Sequence, residues 1–377
     1  MKVGLILERF DPARGGLEHW TWQFARTLIA RGHEVHVVAF EFYPGAEADG
    51  IIVRRVEEMP RSRVERAEVI AAQLPAMQFD IVHDMGIGWH ADVIQPHAGS
   101  TIALWEHNLM RIPKWRQIRF WRERRYRELA EIERRQHAAS GAIIVPLSRM
   151  LQRNFEELHR LPASRMRLIY NGVDVDRFAP EVRAVYREKT RAELSIGENE
   201  VMFLMLAHNL LLKNAEAVIR AAAMLVAERL PVRVVIGGGK KVDRFVKLAE
   251  KLGVSRAVTF AGLVDAEPYY AAADAYVQPT WYDPCSLVTL EASACGLPVI
   301  TSRFNGASEL MTQGREGFIV DDPADVATLA THMCELLDPA RRATMGAAGR
   351  AMTMDHTLEH QTTEFLQLYA DVIAARR

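Results

Sequence analysis

The sequence predicts an α/β chain of two domains. At 377 residues it exceeds one typical core and suits two. Short apolar runs alternate with amphipathic stretches in two successive series, the pattern of strand–helix–strand units on parallel sheets. Between the series stands Asn171-Gly172, a turn dipeptide that breaks the pattern.

Composition narrows the function classes. The apolar fraction of 49% and charged fraction of 25% are ordinary for a globular protein. A net charge of -1, with no nucleic-acid motif, argues against nucleic acid as a partner. Cys285, Cys295 and Cys334 show no paired metal-ligand spacing and are too sparse for a disulfide framework. The opening MKVGLILERF has too short an apolar run for a signal peptide, and no run approaches the roughly 20 apolar residues of a membrane span. A cytoplasmic location is expected.

In the first series, Val3–Leu7 reads as a buried strand, Leu17–Arg31 as a helix and Glu34–Phe40 as the next strand. Gly15-Gly16 lies between strand and helix, where two glycines let backbone approach a ligand closely. Further strands are expected at Ile51–Arg54, Asp80–Asp84, Val93–Gln95 and Ala142–Val145, with a helix over Val64–Met77. His97 follows a strand end, the side on which parallel sheets bind ligands. His83 and Asp84 end another strand and rank second as candidates.

The stretch Arg111–Arg135 carries ten bases against four acids. On a helical wheel of about 100° per residue, Trp115, Ile118, Trp121, Tyr126, Leu129 and Ile132 form one stripe. Arg116, Arg124, Arg127, Arg134 and Arg135 lie opposite, with Phe120 among them. A solvated surface helix explains the stripe. The aromatic ring among arginines points to an anionic membrane surface as a further partner.

Met166–Tyr170 is expected as a short strand before the Asn171-Gly172-Val173-Asp174 junction. The second series opens with the strand Val201–Leu206 and continues into His208 and Lys213. A cation at a helix start opposes the helix dipole, so Lys213 calls for an anion nearby. Val232–Ile236 leads into Gly237-Gly238-Gly239-Lys240, and Thr259–Val264 into another turn. Ala275–Pro279 precedes WYDPCSLVTLEASACGLPVITS. There Asp283 opens a tight turn through Cys285 and Ser286, Leu287 starts a helix, and Glu291 follows Asp283 by eight positions. A helix that starts at such a turn offers free N–H groups and its positive dipole end to phosphate. One carboxylate before the helix and one inside it can hold hydroxyls on either side, the layout of a sugar nucleotide. Helices over Asp322–Leu337, Arg341–Met352 and His356–Ala375 complete the chain.

The Trp281–Ser302 stretch resembles the E-x7-E motif of retaining nucleotide-sugar glycosyltransferases of family 4, here with Asp283 first and Ser286 where the family usually has glycine. The resemblance extends over essentially the whole chain. It implies a GT-B fold, two Rossmann-like domains facing across a cleft: residues 1–170 on the acceptor side, with the helix over 356–377 crossing back, and 171–355 holding the donor. It implies transfer of a hexose from a nucleotide diphosphate, UDP-sugars favoured, to a glycan or glycolipid hydroxyl with retention. Gly15, Gly16, Gly238 and Lys213 would approach the diphosphate and sugar. Leu263 and Val264 would meet the base through their backbone, Asp283 the sugar hydroxyls and Glu291 the ribose. Cys285, Ser286 and Leu287 supply the helix start, and His97 would sit beside the reacting carbon. His208 stands where the family commonly has an arginine, which loses a bidentate phosphate grip. No Asp-x-Asp metal motif stands at a suitable strand end, so no metal and no cofactor are expected.

Within the family, GGLEHW and the basic aromatic stretch look most like lipopolysaccharide core α-1,3-glucosyltransferases. With such an acceptor the enzyme would dock peripherally on the cytosolic face of the inner membrane. An epimerase of the same fold and a catalytically silent nucleotide-sugar-binding protein are the alternatives.

Overall fold

The computed structural model describes residues 1–110, 123–138, 141–239 and 241–376. The chain divides into two compact units: Met1–Tyr170 with Glu359–Arg377, and Asn171–Leu358. The final helix begins at Leu358 and not at His356, and His356 and Thr357 precede it within the second unit. Val173 N–H donates to His356 O at 3.0 Å and Leu358 N–H to Val173 O at 3.0 Å, which holds that segment in place.

Each unit is built on a six-stranded parallel sheet, and the two sheets share one topology. In the first the strands are Lys2–Ile6, Glu34–Ala39, Ile52–Arg55, Ile81–Asp84, Val93–Ile94 and Ile143–Ile144. Numbered along the chain, they stand in the order 3-2-1-4-5-6. In the second unit Val201–Leu206, Val232–Gly237, Val258–Gly262, Ala275–Gln278, Val299–Ser302 and Gly317–Val320 repeat that order. Their apolar runs are continuous because helices cover both faces of a parallel sheet. Phe203, Met205, Val234, Ile236, Val277 and Ile300 are buried with Val218, Leu225 and Leu329 from helices. Register fixes which ends meet: Val232 pairs with Val201 and Ala275 with Phe203.

Two expected elements differ. Met166–Tyr170 forms a single bridge, Ile144 with Met166, in place of a strand. Arg167 and Ile169 donate to Ile144 O and Pro146 O, but Pro146 has no N–H to return a bond, so the ladder stops. The helix expected from Asp322 begins at Val326. Asp325 sits ahead of it and accepts the Thr328 N–H at 2.9 Å, capping the first turn.

The basic stretch is described only in part: Thr101–Met110 and Arg124–Ala138 are helices, and the expectations for Arg116, Phe120 and their neighbours over 111–122 lie outside the described residues. Tyr126 and Ile132 face inward, as the wheel predicts. Arg135 leaves the solvated face. It stacks over Trp89 at 4.5 Å and pairs with Glu68 at 3.0 Å. The final helix, Leu358–Ala374, buries Phe365, Leu368 and Tyr369. Its Gln361 Oε1 accepts from Trp20 Nε1 at 2.9 Å. Among the described residues no helix is long and apolar enough to cross a membrane.

Candidate functional site

In an open parallel sheet, ligands bind beyond the carboxyl ends of the strands where the strand order reverses. In the second unit that point lies between Val201–Leu206 and Ala275–Gln278. Lys213 stands on the loop after the first of these strands and Asp283 on the loop after the second. The loops are tied together: Trp281 N–H and Thr280 Oγ1–H both donate to Leu212 O, at 2.9 and 3.1 Å. This brings residues 70 positions apart into contact, and Lys213 Nζ donates to the Asp283 carboxylate. The two side chains are 18% and 12% exposed, so the pair is largely desolvated yet reachable from solvent. Sequence reasoning gives each residue a separate ligand group. The geometry makes them partners, so an anion that takes Lys213 draws it from Asp283.

The helix Leu287–Ala294 starts beside this pair. Ser286 occupies its cap position with φ -66° and ψ 114°, an ordinary extended conformation. Its hydroxyl does not cap the helix but donates to Gln278 Oε1 at 3.0 Å. A serine therefore fits where glycine is usual in the resembled motif, with its polar atom satisfied. Ser286 N–H donates to Asn305 Oδ1 at 3.2 Å. Asn305 is fully buried, and its Oδ1 also accepts from Ala307 N–H at 3.1 Å. Its Nδ2 donates to Thr289 Oγ1 and Thr301 Oγ1, both at 3.0 Å. One side chain thus holds the helix start against the neighbouring strand. The N–H groups of Leu287, Val288 and Thr289 follow in the first turn, where a helix offers no partner of its own. Cys285 is buried, its thiol pushed up to about 12 by burial, and its carbonyl accepts from Asn171 Nδ2 at 2.7 Å. It fills space and is no nucleophile.

Glu291 lies one turn further on and is partly buried. Burial pushes its carboxyl up to about 7, against a hydrogen bond from Tyr270 O–H at 2.9 Å. Below its ordinary pKa the carboxyl is neutral in folded and unfolded chains alike. As pH rises from there through about 7, the unfolded chain ionises first and folded stability falls. Glu291→Gln removes that loss. Its melting temperature relative to wild type is expected to rise between pH 5 and pH 8. Scanning calorimetry across that range checks it, and a difference independent of pH would contradict it.

The remaining donor candidates stand at the ends of neighbouring strands. Gly238 has φ +84°, and an added Cβ would meet Ala207 O at 2.5 Å, on the loop that leads to Lys213. Its glycine is required by conformation and by contact. His208 is exposed, Leu263 is 64% exposed, and Val264 is partly buried. Lys240 lies outside the described residues.

In the first unit Gly15 is extended, at φ 178°, and Gly16 begins the helix Gly16–Ala30. Neither needs glycine for its backbone angles, so any requirement at Gly15-Gly16 comes from space. His97 is partly buried, 4.6 Å from the Trp20 ring, and burial pushes it down to about 3, leaving it neutral. Its Nε2 is enclosed and has no hydrogen-bond partner among the described residues. His83 is buried, with Nδ1 2.7 Å from Tyr369 Oη, and belongs to the core. Asp84 accepts the N–H groups of Gly86, Ile87 and Gly88 and shapes its own turn.

Asn305, Gln278 and Tyr270 are the residues that sequence reasoning leaves without a role. The Asn305-Gly306 dipeptide announces a turn but not its buried contacts.

Residues 186–352 match the family described as Glycosyl transferases group 1, and residues 14–177 the family described as Glycosyltransferase Family 4. Over 372 aligned residues the chain is 28% identical to a GDP-mannose-dependent alpha-(1-6)-phosphatidylinositol monomannoside mannosyltransferase of Mycolicibacterium smegmatis, spanning 93% of this chain and 94% of that one. The crystal structure of WaaG, a glycosyltransferase involved in lipopolysaccharide biosynthesis, superposes with a TM-score of 0.82 at 22% identity, covering 97% of this chain and 99% of that one. HepE from Anabaena, solved in complex with UDP-glucose, gives 0.73 at 20% identity over 98% of this chain and 100% of that one. At such identities the two structures show likeness of fold. Glycosyltransferase families account for both units, and the chain belongs to the glycosyltransferases of the GT-B fold.

Proposed function

We propose that this enzyme transfers a hexose from a nucleoside diphosphate sugar to a hydroxyl of a glycolipid, with retention at the anomeric carbon. The observation that carries the reading is the Lys213–Asp283 pair at the switch point of the second sheet, beside the start of the Leu287–Ala294 helix. A diphosphate takes Lys213 and the first-turn N–H groups, which stabilise the leaving group as charge develops on it. Asp283, released from Lys213, orients sugar hydroxyls, and Glu291 the ribose. Gly238, Leu263 and Val264 serve the nucleotide through their backbone, and His208 adds a donor on the same loop as Lys213. In the first unit we assign Gly15, Gly16 and His97 to substrate contact, since His97 offers an enclosed, unpartnered Nε2.

UDP-glucose is the donor to try first, in keeping with the resemblance to lipopolysaccharide core glucosyltransferases. GDP-mannose is the second, favoured by the Mycolicibacterium smegmatis relative. That relative's name includes a phosphatidylinositol mannoside, which supports a glycolipid acceptor. The epimerase and silent-binder alternatives gain no support from families described as transferases. Labelled UDP-glucose and GDP-mannose, each with a membrane lipid extract, test the reading. Release of nucleoside diphosphate with label in an α-linked glycolipid is expected. Sugar isomerisation without release, or neither change, would overturn it.

Lysine and helix dipole take the place of a metal at the diphosphate. Initial rates well below the melting temperature are expected to survive excess chelator. Activity abolished by chelator and restored by magnesium or manganese would contradict this. Peripheral docking on anionic membrane through the Arg111–Arg135 stretch fits a glycolipid acceptor. Among its described bases, Arg124 pairs with Glu128 at 2.7 Å and Arg134 with Glu131 at 2.8 Å, which leaves the net excess unchanged but engages these two guanidiniums within the helix. Salt-sensitive co-sedimentation with anionic but not neutral vesicles is the expected result, and equal sedimentation with both removes the proposal.

A further inference from the structure

Away from the donor candidates, the first unit gathers three metal-ligating side chains that the proposed reaction does not use. Glu133, His137 and His159 each offer one ligand atom, and these atoms all lie within 4.8 Å of one another. Glu133 and His137 stand four apart on the helix Arg124–Ala138, a spacing that places both on one face. His159 ends the helix Arg149–His159. Its Nε2 lies 2.8 Å from Glu133 Oε1, and its ring centroid 4.1 Å from that of His137.

Two further observations point to a ligand. Both ring nitrogens of His137 are enclosed with no hydrogen-bond partner among the described residues. A neutral imidazole carries one donor and one acceptor, so a buried ring with neither used is rare. Glu133, in turn, is oriented by a second contact, for its Oε2 accepts the Thr101 N–H at 2.8 Å at the start of the Thr101–Met110 helix. Metal sites commonly have such a buttressed carboxylate.

We propose that Glu133, His137 and His159 bind a divalent transition-metal ion of the zinc class. Two imidazoles and a carboxylate are borderline ligands that suit zinc and exclude magnesium, which asks for oxygen ligands and near-octahedral geometry. Zinc bonds of about 2.0–2.1 Å require ligand atoms roughly 3.3 Å apart, so on binding the His159–Glu133 pair, at 2.8 Å, opens and the wider separations, up to 4.8 Å, close. His159 binds through Nε2 as its Nδ1–H tautomer, and Glu133 exchanges its hydrogen bond from His159 for the metal. A fourth position is left for water. Arg165 stands nearby with an opposing charge, its Nε donating to Ala142 O at 2.8 Å, and the Glu133 carboxylate offsets it. Such an ion pins the ends of two helices together, a structural role within the first unit and separate from the diphosphate chemistry.

The test strips the full chain with chelator, dialyses it, and titrates zinc chloride and magnesium chloride by calorimetry. One zinc per chain is expected, with no magnesium uptake, a higher melting temperature in zinc than in chelator, and binding weakened on the order of 100-fold or more in His137→Ala and His159→Ala. Cobalt in place of zinc should give a visible absorption band of four-coordinate intensity. Lys213→Ala should bind zinc as wild type does, so failure of the donor-site reading and failure of this one are distinguishable. If either histidine variant fails to fold, Glu133→Gln and the cobalt band carry the test. No zinc uptake, uptake equal in wild type and the ligand variants, or no cobalt band would return the cluster to a plain helix–helix hydrogen bond.

Discussion

Replacing Lys213 with alanine is expected to lower turnover by on the order of 100-fold or more, the largest effect we predict for a single side chain. Lys213 Nζ is the cation at the switch point and is already desolvated with Asp283, so it meets a developing negative charge without reorganising water. Alanine removes that charge and leaves the Asp283 carboxylate unpaired where a diphosphate would bind. Both changes oppose the leaving group more in the transition state than in the ground state. The loss should fall chiefly on kcat, with a smaller rise in KM. Steady-state release of nucleoside diphosphate checks it. Kinetics within about threefold of wild type would remove Lys213 from the site.

Replacing Asn305 with alanine is expected to destabilise the second unit by about 3 kcal/mol. The asparagine is fully buried, and its loss strips partners from Ser286 N–H, Ala307 N–H and the Thr289 and Thr301 hydroxyls. Asparagine to aspartate is also costly, for a specific reason. The Thr301 hydroxyl already donates to Gln278 O at 2.9 Å, so a carboxylate oxygen facing it finds no hydrogen. Because the chain has two units, one midpoint does not define its stability. Denaturant unfolding followed by proteolysis of the second unit is the suitable measurement. An unchanged transition for Asn305→Ala would show that the helix start is held by other contacts.

The alternation of apolar runs and amphipathic stretches made both sheets legible, because a buried parallel strand must be apolar on both faces and its crossover helix on one. The ligand side of the second unit was legible for a related reason. Lys213, Gly238, Leu263, Asp283 and Ser286 all follow strand ends, and a parallel sheet puts every such end on one side. Pairing between residues was not legible. Lys213 meets Asp283 only because the strand order reverses between their strands, and nothing local encodes that order. Asn305 reads as half of a turn dipeptide, whereas its role lies in contacts with Ser286 and Thr289, many positions upstream. Met166–Tyr170 reads as a strand by composition, but the missing N–H on Pro146, outside that segment, ends the ladder.

The most direct test of the donor-site assignment is a crystal structure of the chain with UDP, and a second with GDP. The diphosphate is expected within hydrogen-bond reach of Lys213 Nζ and of the N–H groups of Leu287 and Val288, with Lys213 drawn from Asp283 and the ribose hydroxyls on Glu291. A nucleotide bound elsewhere, with Lys213 still paired to Asp283 alone, would contradict it.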